Sequence, residues 1–353
     1  MGDDASSMTR VLCAGDRFIT SDVLAAAARR HLGEVQVVQH DSQWPDEPFG
    51  DVDGVREAAG RPREIAEAIQ GCDLVLTHLA PITAQVLSEA TPRLKLVGSV
   101  RGGPVNIDLD AATRCGVPVA YLPGRNLQAV AEYTVGMAIA LTRNIGAAAA
   151  VMDQGAFDAS WFRFEKCGPE LGSATVGLVG LGAVGQRVAE LFAPFGSRLL
   201  AYDPFADPKR ATALGVELVD LAGLLGSSDL VSLHARVTED NRRMFDESAF
   251  AAMRPGSYFI NTARGELVDH EALRAALDSG HLAGAALDVF DPEPPAADDP
   301  LRRFPQALAT PHLGGASREV ALRSADRIAE ASGSYLRGGQ LDHCANPEVH
   351  RRA

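Results

Sequence analysis

The stretch TVGLVGLGAVGQRVAELFAPFG, residues 175–196, determines the predicted fold of the second half of the chain. An apolar, β-branched run leads directly into Gly180, and an amphipathic helical pattern begins after Gly182. A buried strand, a tight glycine turn and a helix in this order form the first half of a βαβ unit. The stretch therefore predicts a parallel sheet with helices packed on its faces.

The same alternation of strands and helices continues on both sides of this stretch. Apolar runs predict strands at RVLCA, VQVV, DLVLT and LKLVG before it, and at RLLAYD, DLVSLH, SYFINT, AGAALDV and ALAT after it. Helical patterns separate these runs, which is typical of α/β proteins. Because the strands form two series, the sequence predicts two doubly wound parallel-sheet domains with a cleft between them.

Composition and charge restrict the classes of partner. The chain has 353 residues, 46% of them hydrophobic, and a formal net charge of −13, whereas nucleic-acid-binding proteins present a basic surface. No apolar run is long enough to cross a bilayer, so we expect neither a nucleic-acid nor a membrane partner. The cysteines are scattered without a C-x-x-C pair, so we expect reduced thiols in the cytoplasm and no metal site. They are Cys13, Cys72, Cys115, Cys167 and Cys344.

The glycines of the opening stretch predict a dinucleotide site. Gly180, Gly182 and Gly185 form G-x-G-x-x-G, in which the first glycine permits the turn, the second admits a pyrophosphate and the third lets the helix pack closely. The next predicted strand ends in Asp203, 18 positions after Gly185. A carboxylate near this spacing binds the adenosine ribose hydroxyls and would repel a 2′-phosphate. The pattern therefore favours NAD over NADP as the cofactor.

Three further polar residues stand after predicted strands or in the proline-rich loop of residues 290–300. Arg264 ends the run SYFINTAR, where its permanent charge requires solvent or an anionic partner. His312 follows the last predicted strand, and Glu293 lies in the loop before it. Because open α/β sheets bind ligands at the carboxyl ends of their strands, these residues are candidates for anion binding and acid/base catalysis. His78 and His234 also follow predicted strands and remain alternatives.

Six motifs, found in order along nearly the whole chain, point to a known family. They are GGPVNIDLDAA, GRNLQAVAEYTVGMAIALTRN, VGLVGLGAVGQRVAELFAPFG, FINTARGELVDHEAL, GAALDVFDPEP and TPHLGG. Together they resemble the D-isomer-specific 2-hydroxyacid dehydrogenases. The resemblance implies NAD-dependent hydride transfer between a D-2-hydroxy acid and its 2-keto acid. It also implies that Arg264 is the catalytic arginine, Glu293 the catalytic glutamate and His312 the acid/base histidine.

The resemblance also implies a set of cofactor contacts. Asp288 matches the position that holds the nicotinamide carboxamide. The other contacts expected are Ala183, Val184, Ala235, Arg236, Thr262, Ala263 and Gly315. Arg236 stands where the family commonly has proline, and it is expected either to contact a cofactor phosphate or to form a surface salt bridge.

The family's domain organisation is expected as well. Residues 9–123 and 313–345 would form a discontinuous substrate-binding domain, and residues 124–312 the NAD-binding domain, both Rossmann-like or flavodoxin-like. Family members usually form dimers through the cofactor domain. We therefore expect a homodimer, with an interface at a long, mostly buried helix over residues 129–152 and at the stretch WFRFEKCGPEL.

Substrate choice is expected to depend on the first domain. Candidate substrate-binding residues are His78 and the loop of Val100, Arg101, Gly102 and Gly103, whose backbone N–H groups bind the substrate carboxylate in the family. Arg101 is either a second anion site, for instance for a phosphate, or a packing or solvent-facing arginine. The acid itself is left open between a phosphorylated, 3-phosphoglycerate-like substrate and hydroxypyruvate or glyoxylate.

Two other functions on the same fold are considered. One is an NAD-binding regulator without turnover, against which the combination of Arg264, Glu293 and His312 argues, because binding alone needs no acid/base pair. The other is a phosphite-type oxidoreductase, which would use the same three residues.

Overall fold

The computed structural model describes residues 8–44, 51–90 and 92–351 of the chain. The chain divides into two compact units. Unit 1 is Met1–Arg125 with Ala316–Ala353, and unit 2 is Asn126–Gly315. These units are divided after Arg125 and Gly315, whereas the domains expected from the sequence were divided after residues 123 and 312 and ended at residue 345.

Unit 1 contains a five-stranded parallel sheet. Its strands are β1 (Thr9–Gly15), β2 (Val35–Asp41), β5 (Leu74–Thr77), β6 (Leu96–Ser99) and β7 (Val119–Ala120), and β3 (Asp51–Val52) pairs with β4 (Val55–Arg56) in a separate hairpin. The strand order in the sheet is β2-β1-β5-β6-β7. The helices of this unit are α1 (Ser21–Leu32), α2 (Pro62–Ala68), α3 (Ala84–Ala90), α4 (Leu109–Arg114) and α12 (Arg318–Leu336), with a 3-10 turn at Pro347–Arg351.

The sheet of unit 1 is covered on both faces because its strands are apolar on both sides. Leu74, Leu76 and Leu96 pack with α1 and α12, while neighbours such as Val75 and Val97 pack with α2, α3 and α4 on the opposite face. Two buried faces are typical of parallel sheets, whose crossover helices lie on both sides. This confirms the doubly wound α/β prediction for the first half of the chain.

Unit 2 contains a seven-stranded parallel sheet. Its strands are β8 (Thr175–Val179), β9 (Arg198–Tyr202), β10 (Val216–Leu218), β11 (Leu230–Leu233), β12 (Ser257–Asn261), β13 (Leu282–Leu287) and β14 (Ala307–Ala309). Its helices are α5 (Leu127–Thr142), α6 (Ile145–Asp153), α7 (Ala183–Phe192), α8 (Pro208–Ala213), α9 (Leu221–Ser227), α10 (Glu247–Ala252) and α11 (His270–Asp278). Short 3-10 turns occur at Ala159–Phe162, Phe164–Lys166, Leu171–Ser173, Ala193–Phe195, Glu239–Asn241, Gly265–Leu267 and Pro300–Arg302.

The strand order of unit 2 is β10-β9-β8-β11-β12-β13-β14. Its first six strands follow the 3-2-1-4-5-6 arrangement of dinucleotide-binding sheets, in which the chain reverses direction between β8 and β11. Ligands bind such sheets outside the carboxyl ends of the strands at this reversal. The turn that follows β8 contains Gly180, the first glycine of the opening motif.

The long helix expected over residues 129–152 is broken, so that prediction is wrong in its continuity and in the burial of its second half. Asn144 adopts a left-handed conformation with φ of 55°, which separates α5 from α6. Asparagine tolerates this conformation better than most residues because its side chain hydrogen-bonds locally, and here its amide donates to Lys166 O at 2.8 Å. Helix α6 has no buried residue.

Membrane-spanning potential was considered for the described helices. None is long and apolar enough by itself to cross a bilayer, although α5 and α6 together, bent by 65°, have sufficient length and apolar composition.

Candidate active site

The glycine turn after β8 is shaped by close backbone contacts. Gly180 has φ of +97°, and a Cβ at this position would lie 2.7 Å from the amide nitrogen of Ala235. A Cβ on Gly185 would lie 2.1 Å from Gly180 O, so helix α7 packs directly against the turn. A larger residue at either position would displace backbone, which explains both glycines in physical terms.

Gly182 differs from the other two glycines because a Cβ there would meet no atom within 4 Å. It caps the N-terminus of α7, and no side chain in the described part of the chain accepts a hydrogen bond from the first amide groups of that helix. Ala183 and Val184 are the first residues of the helix. Free amides at a helix N-terminus together with open space above Gly182 fit the pyrophosphate of a dinucleotide.

Asp203 follows β9 and lies beside this turn. Its Oδ2 accepts a hydrogen bond from the amide of Leu181 at 2.8 Å, and its Oδ1 accepts one from the amide of Phe205 at 2.9 Å. A carboxylate oxygen has two lone pairs, so both oxygens keep capacity to accept from a ribose hydroxyl. The carboxylate is therefore fixed at the glycine turn and can still accept hydrogen bonds from a ligand.

Two arginines, Arg210 and Arg236, follow Asp203 in the sequence and differ in their contacts. Arg210 donates to Gln186 Oε1 at 3.0 Å and pairs with Glu190 at 3.3 Å, both on α7. Arg236 is exposed and follows Ala235, which borders Gly180. Arg236 O accepts a hydrogen bond from the Asn241 side chain at 2.7 Å.

Three neighbouring strands carry the remaining predicted residues of unit 2. Strands β12, β13 and β14 are adjacent, and Asn261, Leu287 and Ala309 lie in register across them. Asp288 follows Leu287 directly. Arg264 lies three residues after Asn261, and His312 lies three residues after Ala309. The sheet therefore brings Arg264, Asp288 and His312 to the same carboxyl edge.

Arg264 is presented to solvent by the turn after β12. The side-chain amide of Asn261 donates to Arg264 O at 2.9 Å, and Arg264 Nη1 donates to Ala263 O at 2.8 Å. A Cβ on Gly265 would lie 2.0 Å from Phe290 O, so the turn packs against the loop that follows β13. These contacts fix the backbone while the guanidinium stays exposed.

Other residues of this turn face the protein. Thr262 is buried, and its hydroxyl lies 2.8 Å from that of Thr134 on α5. The amide of Ala263 donates to Asn261 Oδ1 at 3.0 Å.

His312 and Glu293 form a hydrogen-bonded pair. Nδ1 of His312 lies 2.7 Å from Oε1 of Glu293, and the two side chains are 29% and 20% exposed. Because a carboxylate accepts hydrogen bonds, the shared hydrogen belongs to Nδ1, which fixes the tautomer and orients Nε2 away from Glu293. His312 has φ of 54°, in the left-handed region, so its backbone must be held by its surroundings.

Asp288 provides that support. It is 1% exposed, its Oδ1 accepts from the Leu313 amide and the Thr310 hydroxyl at 2.8 and 2.6 Å, and its Oδ2 accepts from the Gly314 amide at 2.8 Å. Its main-chain oxygen accepts the amide of His312 at 2.9 Å. Asp288 thus holds the turn that carries His312. Gly315 ends this turn, where a Cβ would lie 2.6 Å from the side-chain amide nitrogen of Asn126.

In unit 1, His78 belongs to a buried hydrogen-bonded chain that the sequence did not predict. Nδ1 of His78 lies 2.7 Å from Oδ2 of Asp16, and Nε2 lies 3.2 Å from Nη2 of Arg125. Burial lowers the pKa of His78 despite the hydrogen bond to Asp16. Burial opposes ionisation of Asp16 too, but hydrogen bonds from His78 and from the amides of Ile19 and Phe18 outweigh it and lower the Asp16 pKa. These three hydrogen-bonded side chains are therefore an ionised carboxylate (Asp16), a neutral imidazole (His78) and a guanidinium (Arg125).

The loop after β6 holds the other predicted residues of unit 1. Val100 is buried and its amide donates to Thr77 O at 2.9 Å. Arg101 forms an ion pair with the Glu57 carboxylate and donates to Glu57 O at 3.3 Å and to Gly103 O at 3.2 Å. Gly102 and Gly103 are exposed, and no described residue accepts a hydrogen bond from their amides.

A metal centre is not built by the described residues, which contain no group of three or more histidine, cysteine, aspartate or glutamate side chains suited to hold an ion.

Unit 2 matches a known protein family. Residues 135–314 match the model of the family described as D-isomer specific 2-hydroxyacid dehydrogenase, NAD binding domain. The match covers the glycine turn, Asp203 and the His312–Glu293 pair. NAD is the cofactor of this domain, and the open space at Gly182 fits it.

Three similar proteins extend the likeness to the whole chain. A D-3-phosphoglycerate dehydrogenase of Mycobacterium tuberculosis is 39% identical over 329 residues, which are 93% of this chain and 58% of the relative. A glyoxylate reductase of Korarchaeum cryptofilum is 35% identical over 294 residues, 83% of this chain and 88% of the relative. The NAD-complexed crystal structure of a D-isomer specific 2-hydroxyacid dehydrogenase from Lactobacillus delbrueckii ssp. bulgaricus is 25% identical with a TM-score of 0.76, and covers 96% of this chain and 100% of that one.

The chain spans less than two thirds of the length of the mycobacterial relative, but most of the length of the other two. The family match spans half of the chain, and the likeness to the reductase spans most of both proteins. The chain belongs to the D-isomer-specific 2-hydroxyacid dehydrogenase family.

Proposed function

We propose that this protein is an NAD-dependent oxidoreductase that interconverts a D-2-hydroxy acid and its 2-keto acid. The observation that carries the proposal is the 2.7 Å hydrogen bond between His312 and Glu293 at the edge of a dinucleotide-binding sheet. A partly buried pair of imidazole and carboxylate serves proton transfer, which a protein that only binds the cofactor does not need.

The residues that would hold the cofactor are those around the glycine turn. The first amides of α7 would bind the pyrophosphate, and Asp203 would accept from the adenosine ribose hydroxyls. Asp288, Thr262, Ala263 and Gly315 belong to the turns after β12, β13 and β14, which suits the nicotinamide end. When bound, the cofactor accepts or supplies the hydride.

Arg264 would bind the anionic acid. Its exposed guanidinium presents donors in a planar fork that matches a carboxylate, and it can also donate to the carbonyl oxygen next to that carboxylate. As negative charge develops on this oxygen during reduction, a fixed cation stabilises it more than it stabilises the neutral carbonyl. The arginine thus both positions the substrate and lowers the barrier.

His312 would move the proton. With Nδ1 held by Glu293, Nε2 donates a proton to the developing alkoxide in reduction and removes the hydroxyl proton in oxidation. Glu293 keeps the ring oriented through both directions, and Asp288 keeps the backbone of His312 in place.

The substrate would be recognised by the loop after β6. No described residue accepts a hydrogen bond from the amides of Gly102 and Gly103, which are suited to a carboxylate. The amides of Val100 and Arg101, expected to share this role, donate instead to Thr77 O and to the Ser99 hydroxyl. The named relatives act on 3-phosphoglycerate and glyoxylate, so both a phosphorylated and a small unphosphorylated acid are candidates.

We further propose that the protein acts as a homodimer in the cytoplasm. Phe157, Phe162 and Phe164 are 84%, 90% and 92% exposed, and an apolar cluster of this kind marks an association surface. The five cysteines are all unpaired, which suits a reducing compartment. Sedimentation of the wild type and of a Phe162→Ser, Phe164→Ser double variant tests the dimer: a wild-type monomer would contradict it.

The test of the activity is NADH oxidation by the full chain with a panel of 2-keto acids. The panel contains hydroxypyruvate, glyoxylate, pyruvate, 3-phosphohydroxypyruvate and phosphonopyruvate, and is repeated with NADPH. We expect turnover with at least one acid and a preference for NADH, because Asp203 would repel a 2′-phosphate. Tight NADH binding without turnover of any acid would contradict the proposal and favour an NAD-binding regulator. Oxidation of phosphite in place of these acids would favour the phosphite-type alternative.

A further inference from the structure

One guanidinium in unit 1 lacks an acceptor that its position requires. Nη1 of Arg125 is buried, and none of the described residues accepts a hydrogen bond from it. A buried donor without a partner is destabilising, and more so when the group is charged. The position therefore calls for an anion or another acceptor.

The contacts that Arg125 does make orient it without neutralising it. Its Nη2 donates to Nε2 of His78, which is the acceptor nitrogen of a neutral ring whose Nδ1–H donates to Asp16. Phe18 packs edge-on against the ring of His78 at 5.5 Å, and the Asn106 side chain donates to His78 O at 3.2 Å. The imidazole is thus fixed from several sides, and it fixes the guanidinium in turn.

The local charges leave Arg125 short of negative charge. Burial, followed by repulsion from the nearby Arg101, lowers the pKa of Arg125 to about 10, and the opposing effect of Asp16 is smaller than that of Arg101. Arg101 has its own counter-ion in Glu57, and carbonyl oxygens of Glu57 and Gly103 accept two more of its N–H groups. Of the two arginines, Arg125 is the one with donor capacity and charge left for a ligand.

We infer that Arg125 binds a second anionic group of the substrate, so that the acid carries a phosphate or a second carboxylate beyond its C1 carboxylate. The inference rests on the proposed function. The unpaired amides of Gly102 and Gly103 are suited to the first carboxylate, which leaves Arg125 for the distal oxyanion. A guanidinium matches either a phosphate or a carboxylate through paired N–H donors.

The experiment measures affinity without turnover. 3-Phosphohydroxypyruvate, oxaloacetate and pyruvate are each titrated calorimetrically into the full chain saturated with NAD⁺, with which a 2-keto acid cannot react by hydride transfer. The first probe carries a distal phosphate and the second a distal carboxylate, so each has two anionic groups, and in this sense both are called dianionic acids. Pyruvate has only its C1 carboxylate. We expect one of the dianionic acids to bind at least about 10-fold more tightly than pyruvate, and the tighter one identifies the distal group.

Variants then assign the preference to Arg125. Arg125→Gln should weaken the preferred dianionic acid by about 10- to 150-fold, the effect of losing one charged hydrogen bond, while pyruvate changes less than about threefold. Arg125→Lys keeps the charge and should recover part of the loss. Arg63→Gln, which removes an 89% exposed cation paired with Glu67, is the matched control and should leave all affinities unchanged.

Two outcomes overturn the inference. One is equal weakening of pyruvate and of both dianionic acids in Arg125→Gln, which would make Arg125 a structural partner of His78. The other is a wild type that binds pyruvate as tightly as the dianionic acids. Both are distinct from failure of the proposed function, which is absence of NADH oxidation with every acid while NAD⁺ still binds.

Discussion

The main-chain oxygen of Asp288 accepts the amide N–H of His312 at 2.9 Å, and the Asp288 carboxylate accepts the next two amides. A residue at the end of β13 therefore sets the backbone of the proposed acid/base residue after β14. The same carboxylate accepts the hydroxyl of Thr310, which completes a buried set of three side-chain acceptor contacts.

Asp288→Asn should disturb this arrangement. The asparagine NH₂ group would face an amide donor where a carboxylate oxygen now accepts, so one buried donor loses its partner. We expect kcat to fall by about 10- to 100-fold, corresponding to about 1.4–3 kcal/mol, together with a lower Tm. Steady-state kinetics and thermal unfolding measure the two effects. Thr310→Val, which removes a single contact, should give a smaller loss in both, and an Asp288→Asn variant with unchanged kcat would contradict the positioning role.

Arg264→Ala and His312→Ala should each lower turnover by about 10²-fold or more while NADH still binds. Arg264 would stabilise charge at the transition state and His312 would transfer the proton, whereas neither is needed to hold the dinucleotide. NADH fluorescence titration and NADH oxidation rates separate the two properties. His343→Ala, at an exposed histidine, is the control. Near-normal rates in either active-site variant would remove the mechanism.

The direction of the pH dependence provides a second test of His312. Reduction requires the protonated imidazole and oxidation the neutral one, so the rate of reduction should fall with rising pH while that of oxidation rises. Initial rates measured in both directions across the same buffers check this. Parallel profiles would be inconsistent with His312 as the proton carrier.

Alanine substitutions at Gly182 and at Gly180, in the turn after β8, should have different effects on stability and on NADH binding. Gly182→Ala adds a methyl group into open space at φ of −69°, so the Tm should stay within a few degrees of the wild type. The methyl would occupy the approach to the α7 amides, and we expect the Kd for NADH to rise about 10-fold or more. Gly180→Ala instead places Cβ 2.7 Å from Ala235 N at φ of +97°, and should lower the Tm itself. Unchanged NADH affinity in Gly182→Ala would place the pyrophosphate elsewhere.

His234 should make the protein sensitive to mild acid. Burial lowers the pKa of His234 from 6.5 to about 4, and its Nδ1 is buried without a partner among the described residues. The unfolded chain takes up this proton near pH 6.5 and the folded chain only near pH 4. The free energy of unfolding is therefore unaffected by His234 above pH 6.5 and declines as the pH falls from 6.5 to about 4. The decline is about 1.4 kcal/mol per pH unit and about 3 kcal/mol in total.

Chemical denaturation at several pH values from 7.5 to 4.5 measures this decline. His234→Gln, which retains a polar contact to Ser232 but does not titrate, should lose less stability over the same range. Identical declines in the wild type and the variant would show that His234 is not the group responsible.

Much of the fold was predictable because apolar runs and glycines mark its strands and turns locally. The pattern around Gly180 predicted β8 and α7, and the runs that precede Arg264 and His312 predicted β12 and β14. The short strands β3, β4, β7 and β10 were missed, since two or three residues carry too little periodicity. The break at Asn144 was missed because a single left-handed residue inside an apolar, alanine-rich stretch leaves no strong signal.

The contacts between residues distant in the sequence could be predicted only in part. Glu293 and His312 were candidates because they lie on either side of the last strand of unit 2, and the structure shows the hydrogen bond between them. The hydrogen bonds that link Asp16, His78 and Arg125 were not predicted. Asp16 and His78 are 62 residues apart, His78 and Arg125 are 47 residues apart, and only the fold of unit 1 brings them together. Asp16 directly follows β1 and His78 directly follows β5, its neighbour in the sheet, so strand order would have been the signal.

Helix α12 follows unit 2 in the sequence, yet it packs on α1 and on β6 of unit 1, where a Cβ on Gly98 would lie within 3.0 Å of Ile328 and Ser332 side-chain atoms. During synthesis, the ribosome releases the whole contiguous stretch of unit 2 before this helix emerges. Unit 2 is thus free to mature first, whereas the earlier-made strands of unit 1 must wait, with Leu74, Leu76 and Leu96 only partly covered on one side by α1, until α12 has been made.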